Sequence, residues 1–313
     1  MRWMRWMRWA AAAAFVLFLS LTASQAFAFT EDGNRENDPT GIVYPTVAAI
    51  GNDFLAGAQA FDESIQAVLP IGKAWAGDRA DELPLPIGLT FAYNHQWETL
   101  RITRLAVNLD GGAPIDVPPG LISDIRASTN TYSLIGDVWI LPFWNVFGVV
   151  AYSEGTAKLS VHVPGILPNG TFNQKYDVLT LGGGTNLTVG WRDFFLVANG
   201  TWTVQDVNVL ESRVNAFVAA PRVGWQGTVG PTSLAIWTGA NYLHISQHQY
   251  GNTDFDIPGV GQTKIHYDLD IHEVGAWNAA LGGRVSLGKR FDFVLDGGIG
   301  TRKSILASVD FRF

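Results

Sequence analysis

Three groups of residues have types and spacings that could support chemistry. His244, Ser246 and His248 alternate along one predicted strand, so their side chains share a face. A serine beside an imidazole is the minimum for nucleophilic acyl chemistry, in which the ring accepts the hydroxyl proton. No third, orienting acid accompanies the pair in the sequence, and the residues read as solvated positions at a strand end. His266, Asp268, Asp270 and His272 also alternate, and as a set they could ligate a divalent cation. One strand spaces such residues about 7 Å apart at each step and cannot close a coordination sphere alone. Asn252, Asp254 and Asp256 are read with the same caution, as a solvated ridge. Gly182-Gly183-Gly184 is not a phosphate loop, because no helix and no Lys–Ser/Thr pair follow it. It sits inside a strand, where glycine permits curvature or close approach of another segment. No catalytic, cofactor-binding or metal-binding residue is assigned.

The remaining charges fall into a pattern once the strands are placed. From residue 86 onward apolar and polar residues alternate. Ile87, Leu89, Phe91, Tyr93, His95 and Trp97 oppose Gly88, Thr90, Ala92, Asn94, Gln96 and Glu98. Equivalent alternation brackets Leu179–Trp191, Ala219–Gln226, Trp277–Leu287 and Phe291–Asp296. In each strand the apolar set is the candidate lipid face and the other set faces a polar interior. The predicted inward residues include Asp137, Arg222, Arg284, Asp292, Asp296, Asp310 and Arg312. Opposite charges inside a narrow barrel should pair, since an unpaired charge in a low-dielectric wall is costly. Two readings stay open: a locked ion-pair network filling the lumen, or a charged constriction that selects what passes.

The spacing predicts strands near 86–98, 129–140, 145–158, 175–190, 194–208, 212–228, 232–248, 265–287, 290–297 and 304–313. Ten strands result, or twelve if 99–128 or 41–82 supplies another pair. Short turns fall at Leu141-Pro142-Phe143, Gly190–Asp193, Gly230-Pro231 and Gly288–Arg290. Longer polar connections are expected at 99–128, 159–174 and 249–263. Trp139, Trp144, Trp191, Phe194 and Trp225 lie beside the short turns, where an aromatic girdle is expected.

The first 28 residues have the tripartite pattern of an export signal. Arg2, Arg5 and Arg8 precede an apolar run from Ala10 to Leu21, and Ala26-Phe27-Ala28 offers a small-x-small cleavage site. Residues 29–84 form a separate N-terminal segment, in which Ala48, Ala49, Phe54, Leu55, Ala58, Phe61, Ile65, Val68 and Leu69 recur at roughly helical spacing. A helix, a plug, a loop or an additional strand pair would each fit. The barrel segment is 85–313. The chain has no cysteine, which excludes disulfides and a lipoprotein anchor on cysteine. Without the signal's three arginines, 18 bases remain against 28 acids, a balance of about −10 that argues against nucleic acid as a partner.

The last ten residues, Ser304–Phe313, put Ile305, Ala307, Val309, Phe311 and Phe313 on one side and Leu306, Ser308, Asp310 and Arg312 on the other. This resembles the closing strand of bacterial outer-membrane β-barrels, which typically ends in Phe. The resemblance covers roughly residues 86–313 and implies an all-β, closed antiparallel transmembrane barrel in the bacterial outer membrane. It also implies Val309, Phe311 and Phe313 as an assembly signal, with the barrel-assembly machinery, membrane lipid and lipopolysaccharide as partners. The expected function is a porin-like conduit for small solutes. The alternative is a closed barrel that presents extracellular loops, and an outer-membrane lipid hydrolase using His244 and Ser246 is the enzymatic outlier.

Overall fold

The computed structural model describes residues 63–313, apart from 110–112, 117, 119–123, 164–166, 209–212, 231 and 258–260. The export signal at 1–28, and the part of the N-terminal segment before residue 63, lie outside the described residues. Alternating β-branched and aromatic residues form strands because each face of the pleat meets one kind of surroundings. Those strands are β1 (Ile87–Leu109), β2 (Ile115–Asp116), β3 (Ile125–Leu141), β4 (Trp144–Val163), β5 (Leu167–Trp191) and β6 (Phe194–Val207). They continue as β7 (Val214–Val229), β8 (Thr232–Ile257), β9 (Gly261–Glu273), β10 (Trp277–Leu287), β11 (Phe291–Ile299) and β12 (Lys303–Arg312).

Ten strands close an antiparallel barrel in the order β1–β3–β4–β5–β6–β7–β8–β10–β11–β12 and back to β1. The closing seam runs from Gly88↔Arg312 to Trp97↔Lys303. It is fastened where the Ile87 and Phe313 backbones exchange N–H···O bonds at 3.0 Å each. Closure leaves no strand edge within the barrel wall. Both ends of the ring lie with the tight turns at 142–143, 192–193 and 288–290 and with Gly230, hereafter the turn end. Gly230 and Gly288 take positive φ there, at 61° and 62°, and Arg192 does so without glycine's freedom, at 55°.

The far end departs from the sequence reading. The expected polar connections at 99–128, 159–174 and 249–263 are mostly strand: β1 runs to Leu109, β4 to Val163 and β8 to Ile257. The reason is pairing, since each extension finds a partner above the barrel and so satisfies its backbone groups. The long strand expected at 265–287 breaks at 274–276 into β9 and β10, and both pieces pair with β8. On its other edge β10 pairs β11, whereas β9 pairs directly with Leu100–Leu109 of β1. One strand thus occupies the arc that β10, β11 and β12 fill below. The twelve-strand option is not realised, because β2 is only a two-residue addition to β1.

Before β1, Lys73–Glu82 is 3₁₀ helix with a kink at Gly77. The segment is tied to the turn end, where Ile71 N–H donates to the Ile140 carbonyl at 2.8 Å and Trp139 N–H to that of Pro86 at 2.8 Å. The outer face is apolar all round, with Leu181, Leu196, Ile236, Leu281, Leu295 and Ile305 each more than half exposed. From Leu89 to Trp97 that band rises eight residues. At about 3.3 Å per residue and a tilt of roughly 40°, the band is about 20 Å tall, close to what a lipid hydrocarbon layer covers.

Gly182 and Gly184 have a packing reason on the inner wall. A Cβ on Gly182 would stand 2.5 Å from the Trp202 carbonyl oxygen, and one on Gly184 would collide with the Gly200 carbonyl oxygen and the Phe147 ring. Gly184→Val is expected to destabilise the barrel by about 1–3 kcal/mol through overpacking. A lower urea midpoint for loss of the compact, heat-modifiable gel form measures it, and an unchanged midpoint would show that the wall around Gly200 and Phe147 shifts to accept the side chain.

Candidate functional site

The inward parity of ten strands brings polar side chains into one belt near the turn end. Its hub is Arg312 on β12. Its guanidinium lies 3.2 Å from Asp137 of β3, 2.8 Å from Asp310 and 3.9 Å from Asp292 of β11. It also donates to the Leu85 carbonyl at 3.1 Å. Arg284 of β10 reaches Asp292 at 3.9 Å. From Asp137 the belt continues through amides in the other direction. Asn145 donates to Asp137, Asn186 to Asn145 at 2.9 Å, Asn199 to Asn186 at 2.8 Å, and Thr201 to Asn199 at 3.1 Å. Arg222 of β7 lies 3.6 Å from Asp296, which also accepts from the Trp237 indole N–H at 2.7 Å. Arg222 further donates to Asn241 and to the Ala240 carbonyl, each at 2.6 Å.

All seven predicted inward charges therefore stand on the interior side. Arg222, Arg284, Asp292, Asp296 and Arg312 line the cavity, while Asp137 and Asp310 are packed behind them within the network. Gly88 makes room for this, because a Cβ there would strike the Asp137 carboxylate. Asn145, Asn199, Asn241 and Trp237 belong to the same belt and escaped the sequence reading. Strand parity was the available signal for all four, but neutral amides and an indole do not announce an interior as charges do. Trp139 is a correction of the opposite kind. It was expected in the outer girdle, yet it lines the lumen. Trp144, Trp191, Phe194 and Trp225 are on the outer face as expected.

The lumen holds a cavity of about 1560 Å³ that runs past the belt from the turn end, and all ten barrel strands contribute to its wall. It stays open because many inward residues are small, among them Ala151, Ser153, Ala216, Ala220, Ser233 and Ala235. One side of the wall is neutral, carrying Thr180, Asn199, Thr201, Thr203 and Gln205 from β5 and β6. The floor includes Ala76, Leu83 and Pro84 of the N-terminal segment. Near the far end Glu98, Tyr176 and Arg302 enter the wall, and the Tyr176 and Thr129 hydroxyls are 2.6 Å apart. Val178, Val207 and Val214, with Ile245 against them, form a small apolar cluster at the same level.

His244 Nδ1 lies 3.6 Å from Glu273 Oε1. That acid comes from the end of β9 and could not be matched to His244 from spacing. The Ser246 and His248 side chains lie outside the described residues. His266, Asp268, Asp270 and His272 share one face of β9, but among the described residues no group of three or more His, Cys, Asp or Glu could hold a metal ion.

No protein-family model matches the chain, and no curated protein matches it. Solved structures similar in form are membrane barrels. The β domain of the Bordetella autotransporter BrkA aligns at TM-score 0.41 and 10% identity over 72% of this chain and 99% of that one. The translocator domain of autotransporter NalP from Neisseria meningitidis aligns at TM-score 0.35 and 13% identity, covering 84% and 98%. The CymD monoaromatic hydrocarbon channel aligns at TM-score 0.29 and 10% identity, covering 78% and 94%. Likeness at this level carries no correspondence of residues, and the architecture stands on the strand register itself.

Arg312→Ala removes one cation from contact with three carboxylates. Stranding buried charges in this way is expected to cost about 3–5 kcal/mol. Urea unfolding of the refolded barrel, followed by tryptophan fluorescence, measures it. Loss below 1 kcal/mol would show that the belt is hydrated enough to lose its hub.

Proposed function

We propose that this chain is an outer-membrane barrel that conducts small polar solutes. Its turn end would face the periplasm and its strand-built extensions the exterior. The cavity walled by all ten strands carries this reading, because ten-stranded barrels lie close to the size at which side chains fill the interior. The apolar outer band, the C-terminal Val309, Phe311 and Phe313, and the export pattern at 1–28 support outer-membrane placement through the barrel-assembly machinery. Glu98 and Arg302 near the far end, and the neutral hydroxyl and amide wall below them, suit uncharged or zwitterionic solutes over bulky ions. The segment carrying Ala76, Leu83 and Pro84 adjoins the cavity at the turn end, where it would restrict passage.

A second reading is favoured by one observation. The inward charges are largely paired with one another, which suits a locked, closed barrel displaying its far-end hairpins. Planar-bilayer recording of the refolded chain separates the two. A conduit gives discrete conductance steps that increase when residues 63–84 are deleted. Silence from both forms, each shown to be inserted, leaves the closed barrel.

A further inference from the structure

The outer wall above the apolar band carries an ordered set of side chains. Register places Tyr93, Tyr132 and Tyr152 side by side on β1, β3 and β4. The next outward row is His95, Asn130, Glu154 and Asp177. It is cross-linked, with Tyr93 donating to Asn130 at 2.8 Å, Tyr152 to Asp177 at 3.1 Å, and Asn208 to Asp177 at 3.2 Å. Above it the face becomes basic. Lys303 stands opposite Trp97 on β12, Lys175 opposite Thr156 on β5, and Arg126 directly opposite Lys158 on β3 and β4. All four bases are exposed and share the outward parity of the tyrosine row.

Two features make this more than a solvated face. Arg126 and Lys158 occupy paired positions, where Cβ atoms stand roughly 4.5–5.5 Å apart and like charges destabilise the sheet. Lys175 is the diagonal neighbour of Lys158, about 7–8 Å away. An anion between them turns that repulsion into attraction. Lys175 and Lys303 lie two rows above the tyrosines and Arg126 and Lys158 three rows above, a row being about 7 Å along a strand. Aromatic rings mark the boundary between acyl chains and headgroups, so the bases stand on the headgroup side of it. The bases span β12, β1, β3, β4 and β5, roughly 19 Å of wall at about 4.8 Å per strand.

We propose that this wall binds the phosphorylated headgroups of lipid in the surrounding leaflet, with Arg126, Lys158, Lys175 and Lys303 as phosphate ligands. Tyr93 and Tyr132 pack against the upper acyl chain, and the cross-linked row beneath fixes the height of the bases. The site lies on the outer surface, apart from the lumen. The proposal rests on the membrane-barrel reading and gives that generic contact a defined place and chemistry.

The test uses the full chain refolded in neutral-detergent micelles, with a phosphate-monoester amphiphile and a phosphate-free amphiphile of equal chain length as probes. The wild-type protein should bind the phosphate amphiphile in a salt-sensitive manner. The quadruple variant R126Q/K158Q/K175Q/K303Q should bind it about tenfold more weakly while retaining heat-modifiable migration and the wild-type far-ultraviolet spectrum. K289Q, altered at the turn end, serves as a control and should bind as the wild type does. Equal binding by the wild-type and quadruple variants overturns the proposal, as does equal affinity for the phosphate-free probe. Competition by inorganic phosphate at the same concentration as the amphiphile overturns the lipid assignment. Should the quadruple variant fail to fold, the paired variants R126Q/K158Q and K175Q/K303Q carry the same comparison. Failure of the wild-type chain to insert into any bilayer would instead sink the membrane-barrel reading, an outcome distinct from loss of headgroup binding.

Discussion

Charge buried in a narrow polar interior must be paired, and this constraint organises the turn end of the molecule. Arg312 lies between Asp137, Asp310 and Asp292, so residues from three strands meet at one guanidinium. Two of those strands flank β1 at the seam, and the Leu85 carbonyl, just before β1, accepts from the same arginine. Ring closure and charge compensation are thus parts of one arrangement. A bidentate-capable planar cation suits this position in a way that a lysine ammonium would not, because it can serve several acceptors in fixed directions.

The belt also explains how the interior can be ordered along its wall and still enclose a cavity. Amide-to-amide bonds from Asn145 through Asn186 to Asn199 continue the polar belt around the neutral half of the wall without adding charge. Small inward residues such as Ala151, Ala216 and Ser233 leave the cavity unfilled. At the far end the wall changes again, where β9 replaces the β11–β12 hairpin as the neighbour of β1. The turn at Gly300–Arg302 ends beneath that replacement, and Asn278 accepts from the Arg302 backbone N–H at 2.9 Å to hold it. Shape at this level follows from which strand finds which edge.

The period-two alternation was legible throughout the barrel segment, and with it the assignment of lipid-facing and inward sets. Ile305, Ala307, Phe311 and their opposites on β12 followed directly from residue type, since one face had to suit lipid and the other had to suit polar groups. The far-end extensions were less legible. Residues 99–109 and 249–257 look like loop because the apolar/polar alternation that marks a half-buried strand fades there in the sequence. Trp139 shows the same limit: an aromatic residue beside a short turn suits the girdle by composition, but parity turns it inward.

What the sequence determined by itself was a class of architecture: alternating strands, tight turns at one end and an interior carrying Arg and Asp. Residue type fixes these because the pleat gives every strand two faces with opposite demands. Tertiary structure alone decided which charges touch, because Asp137 and Arg312 are 175 positions apart in the chain. It also decided that Asn145 and Asn199 join them, that β9 pairs with β1, and that Arg126 comes to lie opposite Lys158. Each of these is a matter of register between strands. Register depends on the closed ring as a whole, where shifting one pair shifts every neighbour and no single segment records the outcome.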